Sequence, residues 1–322
     1  MWRLLIVILC GAGLAACDVV VEPGRDVRLV NGARIRGAPG TAERPGGPAV
    51  TVRPGATLRV EDATVVGGSD RVSKPPLILT EGTELPDLDL ELELSTVFLV
   101  SQVTAGEGIS STEARVLLSG GLVQGGDAES SLKGPGSRAR AGSGVDLLGG
   151  QLLVAGGRVR GGRTIDASPL ARPGGVTATR ARVEIRDGLV EGLELMESTA
   201  LIRGGQVNGL LLSPSFRALP SPGFQSCVEI RGGLVSGTLF LSDASVVVVG
   251  GGFNLPFGDI VIPASGLEPF PLSGVLADGS PFAVVVHPFG EGSLRLFDAR
   301  FAPTVAFERD RATDPPLCPT RP

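Results

Sequence analysis

Hydrophobic and polar residues alternate in short segments along most of the chain, and many of these segments end in a pair of glycines. In Val228–Gly233, Val228 and Ile230 alternate with Glu229 and Arg231 before the two glycines. A period of two predicts a β-strand with one face in a core and a charged face in water. Glycine readily adopts the positive φ of a tight corner, so each glycine pair predicts a bend.

The same phrase recurs as a strand, a glycine pair and an x-Val-x-Gly segment. Copies occupy Val116–Gly125, Val183–Gly192, Ala200–Gly209 and Val228–Gly237, with a looser copy from Val246. The corner moves from Asp187 to Gly204 and from Gly232 to Gly250, which are steps of 17 and 18 residues. Repeats of this length predict stacked coils, each of which buries the apolar face of its neighbour.

The phrase resembles G-G-x-V-x-G repeats of uncharacterised bacterial surface proteins that are predicted to form right-handed parallel β-helices. Ser273–Pro281 resembles a segment found near the end of those proteins, and the resemblance spans roughly Val116–Leu296. It implies an all-β fold, a right-handed parallel β-helix (solenoid). Six of the twelve phenylalanines lie after Gly266, and they predict a C-terminal β cap over the exposed edges of the last coil.

These patterns divide the chain into four parts. They are a signal peptide (1–16), a lipid-anchored tether (17–25), the solenoid (26–265) and the C-terminal cap and tail (266–322).

The N-terminus has the pattern of an export signal. A basic start at Arg3 precedes the apolar segment Leu4–Leu9, which is too short to span a bilayer. Leu14–Cys17 reads Leu-Ala-Ala-Cys and resembles the bacterial lipobox. The resemblance implies cleavage before Cys17, acyl chains on its sulfur and a place at the cell envelope. Asp18 resembles an inner-membrane retention signal of enteric bacteria and so hints at the inner membrane. The choice between the inner and the outer membrane stays open.

Two further cysteines, Cys227 and Cys318, remain in the exported part of the chain. In an oxidising compartment they can form one disulfide that ties the tail to a coil. The alternative is two separate thiols.

The densest group of acids is Asp87, Asp89, Glu91 and Glu93, which alternate strictly with leucines. On a strand they would line one face about 7 Å apart. Three interpretations stay open: a solvated strand face, a Ca²⁺ site built from carboxylate oxygens, and a catalytic carboxylate pair. Ca²⁺ is the only cofactor that the sequence suggests.

The composition argues against several other classes. The net charge of −5 gives no support for nucleic-acid binding. His287 is the single histidine, and no G-x-S-x-G segment supplies a nucleophile, so we assign no catalytic residue. One histidine and two spare cysteines do not make a zinc site.

The sequence therefore predicts an exported, lipid-anchored protein with a structural or adhesive role, in contact with envelope or extracellular polysaccharide or protein. Contacts are expected on glycine- and arginine-rich loops, with Arg138, Arg140, Arg163 and Arg172 as candidates. A polysaccharide-active enzyme, either a lyase or a glycoside hydrolase, is the first alternative. A Ca²⁺-stabilised surface scaffold is the second.

Overall fold

The computed structural model describes residues 19–30, 32–41, 44–70, 77–78, 99–129, 137–165, 174–213, 226–242, 244–262, 268–288 and 292–300. These residues form strands, turns and extended segments without any helix, which confirms the all-β class. Accordingly, this part of the chain contains no helix of the length and apolarity needed to cross a membrane.

Twenty-six strands make up the described fold. They are β1 (Val19–Val21), β2 (Asp26–Leu29), β3 (Ala33–Arg36), β4 (Val50–Val52), β5 (Thr57–Val60), β6 (Ala63–Val66), β7 (Leu77–Ile78), β8 (Leu99–Thr104), β9 (Ile109–Thr112), β10 (Arg115–Gln124), β11 (Ala128–Glu129), β12 (Ser137–Arg140), β13 (Val145–Leu148), β14 (Gln151–Arg160), β15 (Thr164–Ile165), β16 (Val176–Thr179), β17 (Arg182–Met196), β18 (Thr199–Ile202), β19 (Gln206–Ser213), β20 (Ser226–Ile230), β21 (Leu234–Leu241), β22 (Ala244–Gly251), β23 (Gly258–Ile262), β24 (Phe270–Leu276), β25 (Pro281–Pro288) and β26 (Gly292–Asp298).

Most strands pair in parallel with strands one layer earlier and one layer later, in three ladders. Ladder A contains β1, β4, β9, β13, β16 and the C-terminal parts of β17, β19, β21 and β25. Ladder B contains β2, β5, the N-terminal parts of β10, β14 and β17, and then β18, β20, β22 and β26. Ladder C contains β3, β6, the C-terminal parts of β10 and β14, the middle of β17 and the N-terminal parts of β19 and β21.

The sheet closes on itself, and the predicted parallel β-helix solenoid is therefore wrong as the fold class. Strand β24 pairs antiparallel with both β22 and β25, so it joins ladder B to ladder A. Eight strands form the resulting barrel, β17–β18–β20–β22–β24–β25–β21–β19, and the other strands lie outside this ring. The segment predicted as a separate cap supplies β24, β25 and β26, which are members of the same sheet. Closure removes edges that open ladders would expose.

Alternating side chains fill one continuous core from Val21 to Leu296. The valines of the x-Val-x-Gly segments are all buried, namely Val123, Val159, Val190, Val207 and Val235. Phe253, which follows the glycines of the looser copy from Val246, is only partly buried and packs against the core.

Positive φ angles mark the corner between ladders B and C, as the glycine pairs predict. Gly121, Gly157 and Gly188 are each the second residue of a corner, and their φ angles lie between 77° and 91°. The first glycine has a different reason: a Cβ on Gly204 would lie 2.2 Å from the carbonyl oxygen of Arg186 in the previous layer. A glycine pair thus combines a conformational requirement with a steric one, whereas the corner at Asp187 and Gly188 keeps only the conformational one.

Glycines also form a neck where the chain leaves ladder C for a side lobe and returns to ladder A. Backbone segments that leave ladder C alternate with segments that return to ladder A, and six N–H···O bonds of 2.8–3.0 Å connect them. In order, the bonded residues of this glycine neck are Ala38, Gly47, Gly68, Gly106, Gly126, Gly142 and Gly162. A Cβ on Gly68 would lie 1.7 Å from the carbonyl oxygen of Ala38, so the two backbones leave no room for side chains.

The side lobe beyond the neck consists of β7, β8, β11, β12 and β15, which form two small sheets of their own. The buried cluster formed by its described side chains consists of Ala105, Ala128, Ala139 and Ala141. Asp70 is fully buried beside them and accepts the N–H of Thr104 at 3.2 Å.

The predicted charged surface of ladder B is only partly in water. Glu184 and Glu229 point away from the core, yet they are 4% and 2% exposed. Each accepts a hydrogen bond from the arginine two residues later, and the Arg186–Glu184 distance is 2.7 Å. Val247 on the same outward row is also buried. The outward row of ladder B is therefore covered around β20, where Cys227 lies.

A side-chain cap protects the first part of strand β24, because β24 pairs with β22 only at Val275 and Leu276 in the described sheet. Asn254 donates from Nδ2 to the carbonyl oxygen of Pro271 at 3.0 Å and accepts the N–H of Ser273 on Oδ1 at 2.8 Å. The amide thereby satisfies strand groups that would otherwise be open to another chain.

We expect Asn254→Leu to promote self-association, because it leaves the backbone groups of Pro271 and Ser273 without this partner. The loss of two hydrogen bonds should also cost about 1–3 kcal/mol of unfolding free energy. Light scattering against concentration measures the first effect, with Asn208→Leu, an exposed asparagine away from β24, as the matched control. Equal scattering by the two variants would show that Asn254 does not protect an edge.

Candidate functional site

The outward positions of ladder A form one row across nine strands. We call it row A, and it contains Val20, Thr51, Ser110, Asp146, Thr177, Glu194, position 211, Phe240 and His287. Neighbouring strands lie about 4.8 Å apart, so the row is roughly 38 Å long. Because every member lies within a paired strand, the backbone holds the row in a fixed spacing.

Hydroxyl and carboxyl groups occupy the centre of row A. Thr177 lies between Asp146 and Glu194 and is 7% exposed. Its Oγ1 is 2.8 Å from Oγ of Ser143, which precedes β13. Asp146 is half-buried and is engaged in a polar interaction of its own. The two carboxylates are two strand steps apart, or about 9.5 Å along the row.

The environment of Glu194 favours its protonated form. Burial raises the pKa of this carboxyl above the ordinary value for glutamate, and the positive charge of Arg140 opposes the shift. Desolvation disfavours the carboxylate, whereas a nearby cation favours it. Arg140 ends β12 of the side lobe, so the lobe contributes a cation to this part of the row.

An aromatic pair lies towards the C-terminal end of row A. The rings of Phe240 and His287 have centroids 5.2 Å apart and are tilted by 45°. Both side chains are half-buried, so each presents part of its ring outside the core. Aromatic rings of this kind offer apolar contact area with a fixed orientation.

The structure brings one of the predicted contact arginines, Arg140, to this row. Arg163 is exposed on the side lobe and donates its backbone N–H to Asp127 at 2.8 Å. The side chain of Arg138 is not described, and Arg172 lies outside the described residues.

The other predicted sites have different outcomes. Cys227 is disulfide-bonded, while Cys318 lies outside the described residues, so their pairing stays a prediction. The lipidation residue Cys17 and the acidic series Asp87, Asp89, Glu91 and Glu93 also lie outside the described residues. Within the part that the structure describes, no group of three potential ligands could hold a metal ion.

Sequence reasoning missed row A because its members are separated by up to 267 residues, from Val20 to His287. Only strand register brings them together. A usable signal existed within single strands: Asp146 and Glu194 each interrupt an apolar segment, as Val-Asp-Leu and Leu-Glu-Leu.

No protein-family model, no curated protein and no solved structure matches this chain. The resemblances of its glycine phrase and of its Leu-Ala-Ala-Cys segment therefore stay predictions.

Proposed function

We propose that this protein is an exported, lipid-anchored component of the bacterial cell envelope that binds an extended polymer along row A. The observation that carries the proposal is the row itself. It sets the half-buried hydroxyls of Thr51 and Ser110, two carboxyls and an aromatic pair at regular spacing on a rigid sheet. Groups held by backbone pairing need little reordering on binding, which favours affinity.

The chemistry of row A favours a neutral polyhydroxylated chain such as a glycan. Carboxyl and hydroxyl oxygens can accept from sugar hydroxyls, and the Phe240–His287 pair offers apolar area to the face of a sugar ring. Because the cation Arg140 is accompanied by the carboxyl groups of Asp146 and Glu194, this part of row A has no net positive charge to attract an anionic polymer.

Export is supported by the disulfide at Cys227. Disulfides persist in oxidising compartments and are rare in a reducing cytosol. The bond is consistent with the signal pattern that precedes Cys17.

The anchor is tested by the intact mass of protein extracted from membranes. The proposal expects a chain that begins at Cys17 with added acyl groups, and a Cys17→Ser variant that lacks them. An unmodified, freely soluble product would contradict the anchor while leaving the binding row untouched.

Binding is tested with peptidoglycan sacculi and a series of soluble neutral glycans. We expect Phe240→Ala to weaken binding about tenfold, or about 1.4 kcal/mol, because it removes one of the two rings of the aromatic pair. Leu234→Ala is the control, since Leu234 is 42% exposed but lies on ladder C. Equal affinities of the two variants for every polymer would contradict a role for row A.

Glu194→Gln separates binding from stability. Because folding raises the pKa of Glu194, its contribution to stability decreases as pH rises through the folded pKa. The amide variant should therefore be at least as stable as the parent at pH 7, while it binds glycan less well. Thermal melts at pH 5 and pH 7, beside the binding assay, measure both effects. A large loss of stability at pH 7 would identify Glu194 as a structural residue.

A second candidate function is glycoside hydrolysis, and the raised pKa of Glu194 is the observation that favours it. A protonated acid and a second carboxyl, Asp146, at a spacing of about 9.5 Å fit the range of about 6.5–9.5 Å in inverting enzymes. Release of reducing ends from the same glycans, abolished in both Glu194→Gln and Asp146→Asn, would support this function. Binding without release would exclude it for those glycans.

A further inference from the structure

We propose that the N-terminal rim of the sheet, formed by Arg25, Arg34 and Arg36, docks on the headgroups of an anionic phospholipid surface. The inference rests on the proposed lipid anchor and gives the anchored protein an orientation. Among the described strands, β1, β2 and β3 of the first layer each pair on one side only, with β4, β5 and β6. This layer is therefore one end of the described stack.

The charges of the first layer are unevenly compensated. Its two described acids, Glu22 and Asp26, pair with arginines of the second layer, Arg53 at 3.2 Å and Arg59 at 3.1 Å. Arg28 pairs with Glu61 of the second layer. Both acids that the structure describes in the first layer are therefore already paired.

The three rim arginines are exposed and, among the described residues, have no carboxylate within ion-pair distance. Arg25 lies at the corner before β2, and Arg34 and Arg36 are on β3. Long arginine side chains can bend towards a nearby surface while their stems stay on the protein. An anionic membrane supplies the charge that this rim lacks.

At the opposite end of the stack, the charges without an ion-pair partner among the described residues are negative. Asp259 and Asp298 pair with Arg295 and Arg300, whereas Glu268 and Asp278 are exposed and have no ion pair with a described residue. A negative surface therefore attracts the first layer and repels the last one.

The chain geometry places the rim beside the predicted anchor. Strand β1 begins at Val19, two residues after Cys17, inside the segment assigned to a tether. Two residues span at most about 7 Å. Acyl chains on Cys17 would hold the first layer at the bilayer surface, and row A would extend roughly 38 Å away from it.

The test uses full-length protein with Cys17→Ser, so that acyl chains do not dominate the result. Sedimentation with vesicles of phosphatidylcholine, with and without 30 mol% phosphatidylglycerol, measures the anionic preference. Each arginine near such a surface contributes about fivefold to the partition coefficient, so Arg25→Gln, Arg34→Gln and Arg36→Gln together should reduce it roughly 100-fold. The preference should also fall as salt rises.

The matched control removes three exposed arginines elsewhere, with Arg115→Gln, Arg158→Gln and Arg163→Gln, and should keep the anionic preference. Unchanged binding by the rim variant, or an equal loss in the control, overturns the docking. The two proposals fail separately: an intact mass without acyl chains refutes the anchor, while an anionic preference confined to the rim arginines still supports the docking.

Discussion

Gly106→Ala is expected to unfold the protein or to lower its unfolding free energy by more than about 3 kcal/mol. A Cβ at Gly106 would lie 2.0 Å from the carbonyl oxygen and 2.3 Å from the carbonyl carbon of Gly47. Both are backbone atoms held by the glycine neck, where Gly106 donates to Gly68 and accepts from Gly126. To relieve this overlap, the backbone segments that leave ladder C and those that return to ladder A would have to move apart. Denaturant unfolding followed by circular dichroism measures the loss.

Gly55→Ala is the matched control for this variant. Gly55 has a φ of +73°, but a Cβ there would meet nothing within 4 Å. Alanine at this position has only the conformational cost of the left-handed region, about 1–2 kcal/mol. If Gly106→Ala were no more destabilising than Gly55→Ala, the neck would not be under steric constraint.

Cys227→Ser is expected to lower the unfolding free energy by about 2–4 kcal/mol, because a disulfide restricts the unfolded chain. Cys227 is 3% exposed and packs with Val247 and Val249 against Phe297. Loss of the bond should therefore also increase hydrogen exchange in β20 and β22. Denaturation with and without reductant measures the effect, since the variant should be insensitive to reductant and should match the reduced parent.

Cys318→Ser and Cys17→Ser distinguish the possible partners of Cys227. If Cys318 is the partner, its variant should reproduce the loss, whereas Cys17→Ser should keep the sensitivity to reductant. The reverse result would contradict the predicted pairing. A stable protein that resists reductant in all variants would show that the bond at Cys227 contributes nothing to folding.

The sequence was sufficient for the elements and corners of the fold. Strict alternation around residues such as Val228 and Ile230 defined buried and outward positions, and paired glycines located the bends. These signals are local, because a strand pattern reports which side of one strand is apolar. The same pattern serves parallel and antiparallel partners, so it could not show that β24 crosses from ladder B to ladder A.

The candidate site could not be predicted from the sequence, because strand register brings together residues that lie far apart in the chain. Thr177 and Glu194 are neighbours because they are 17 residues apart on successive layers, whereas Phe240 reaches His287 across 47 residues. Insertions of different length separate the layers, so no fixed spacing in the sequence indicates row A. The burial of Glu229 was missed for a related reason: alternation assigns a residue to the outside of the sheet but says nothing of what lies against it.

The closing strand has a consequence for biogenesis. If the chain is exported as we propose, it crosses the membrane progressively, and each parallel layer can pair with the one before it as soon as it emerges. Strand β24 begins only at Phe270, so the eight-strand ring is completed by the last part of the described chain. A product truncated before that residue would lack β24 and β25 and would expose the strands they cover. Incomplete chains are therefore predicted substrates for envelope proteases, while complete ones present a closed sheet.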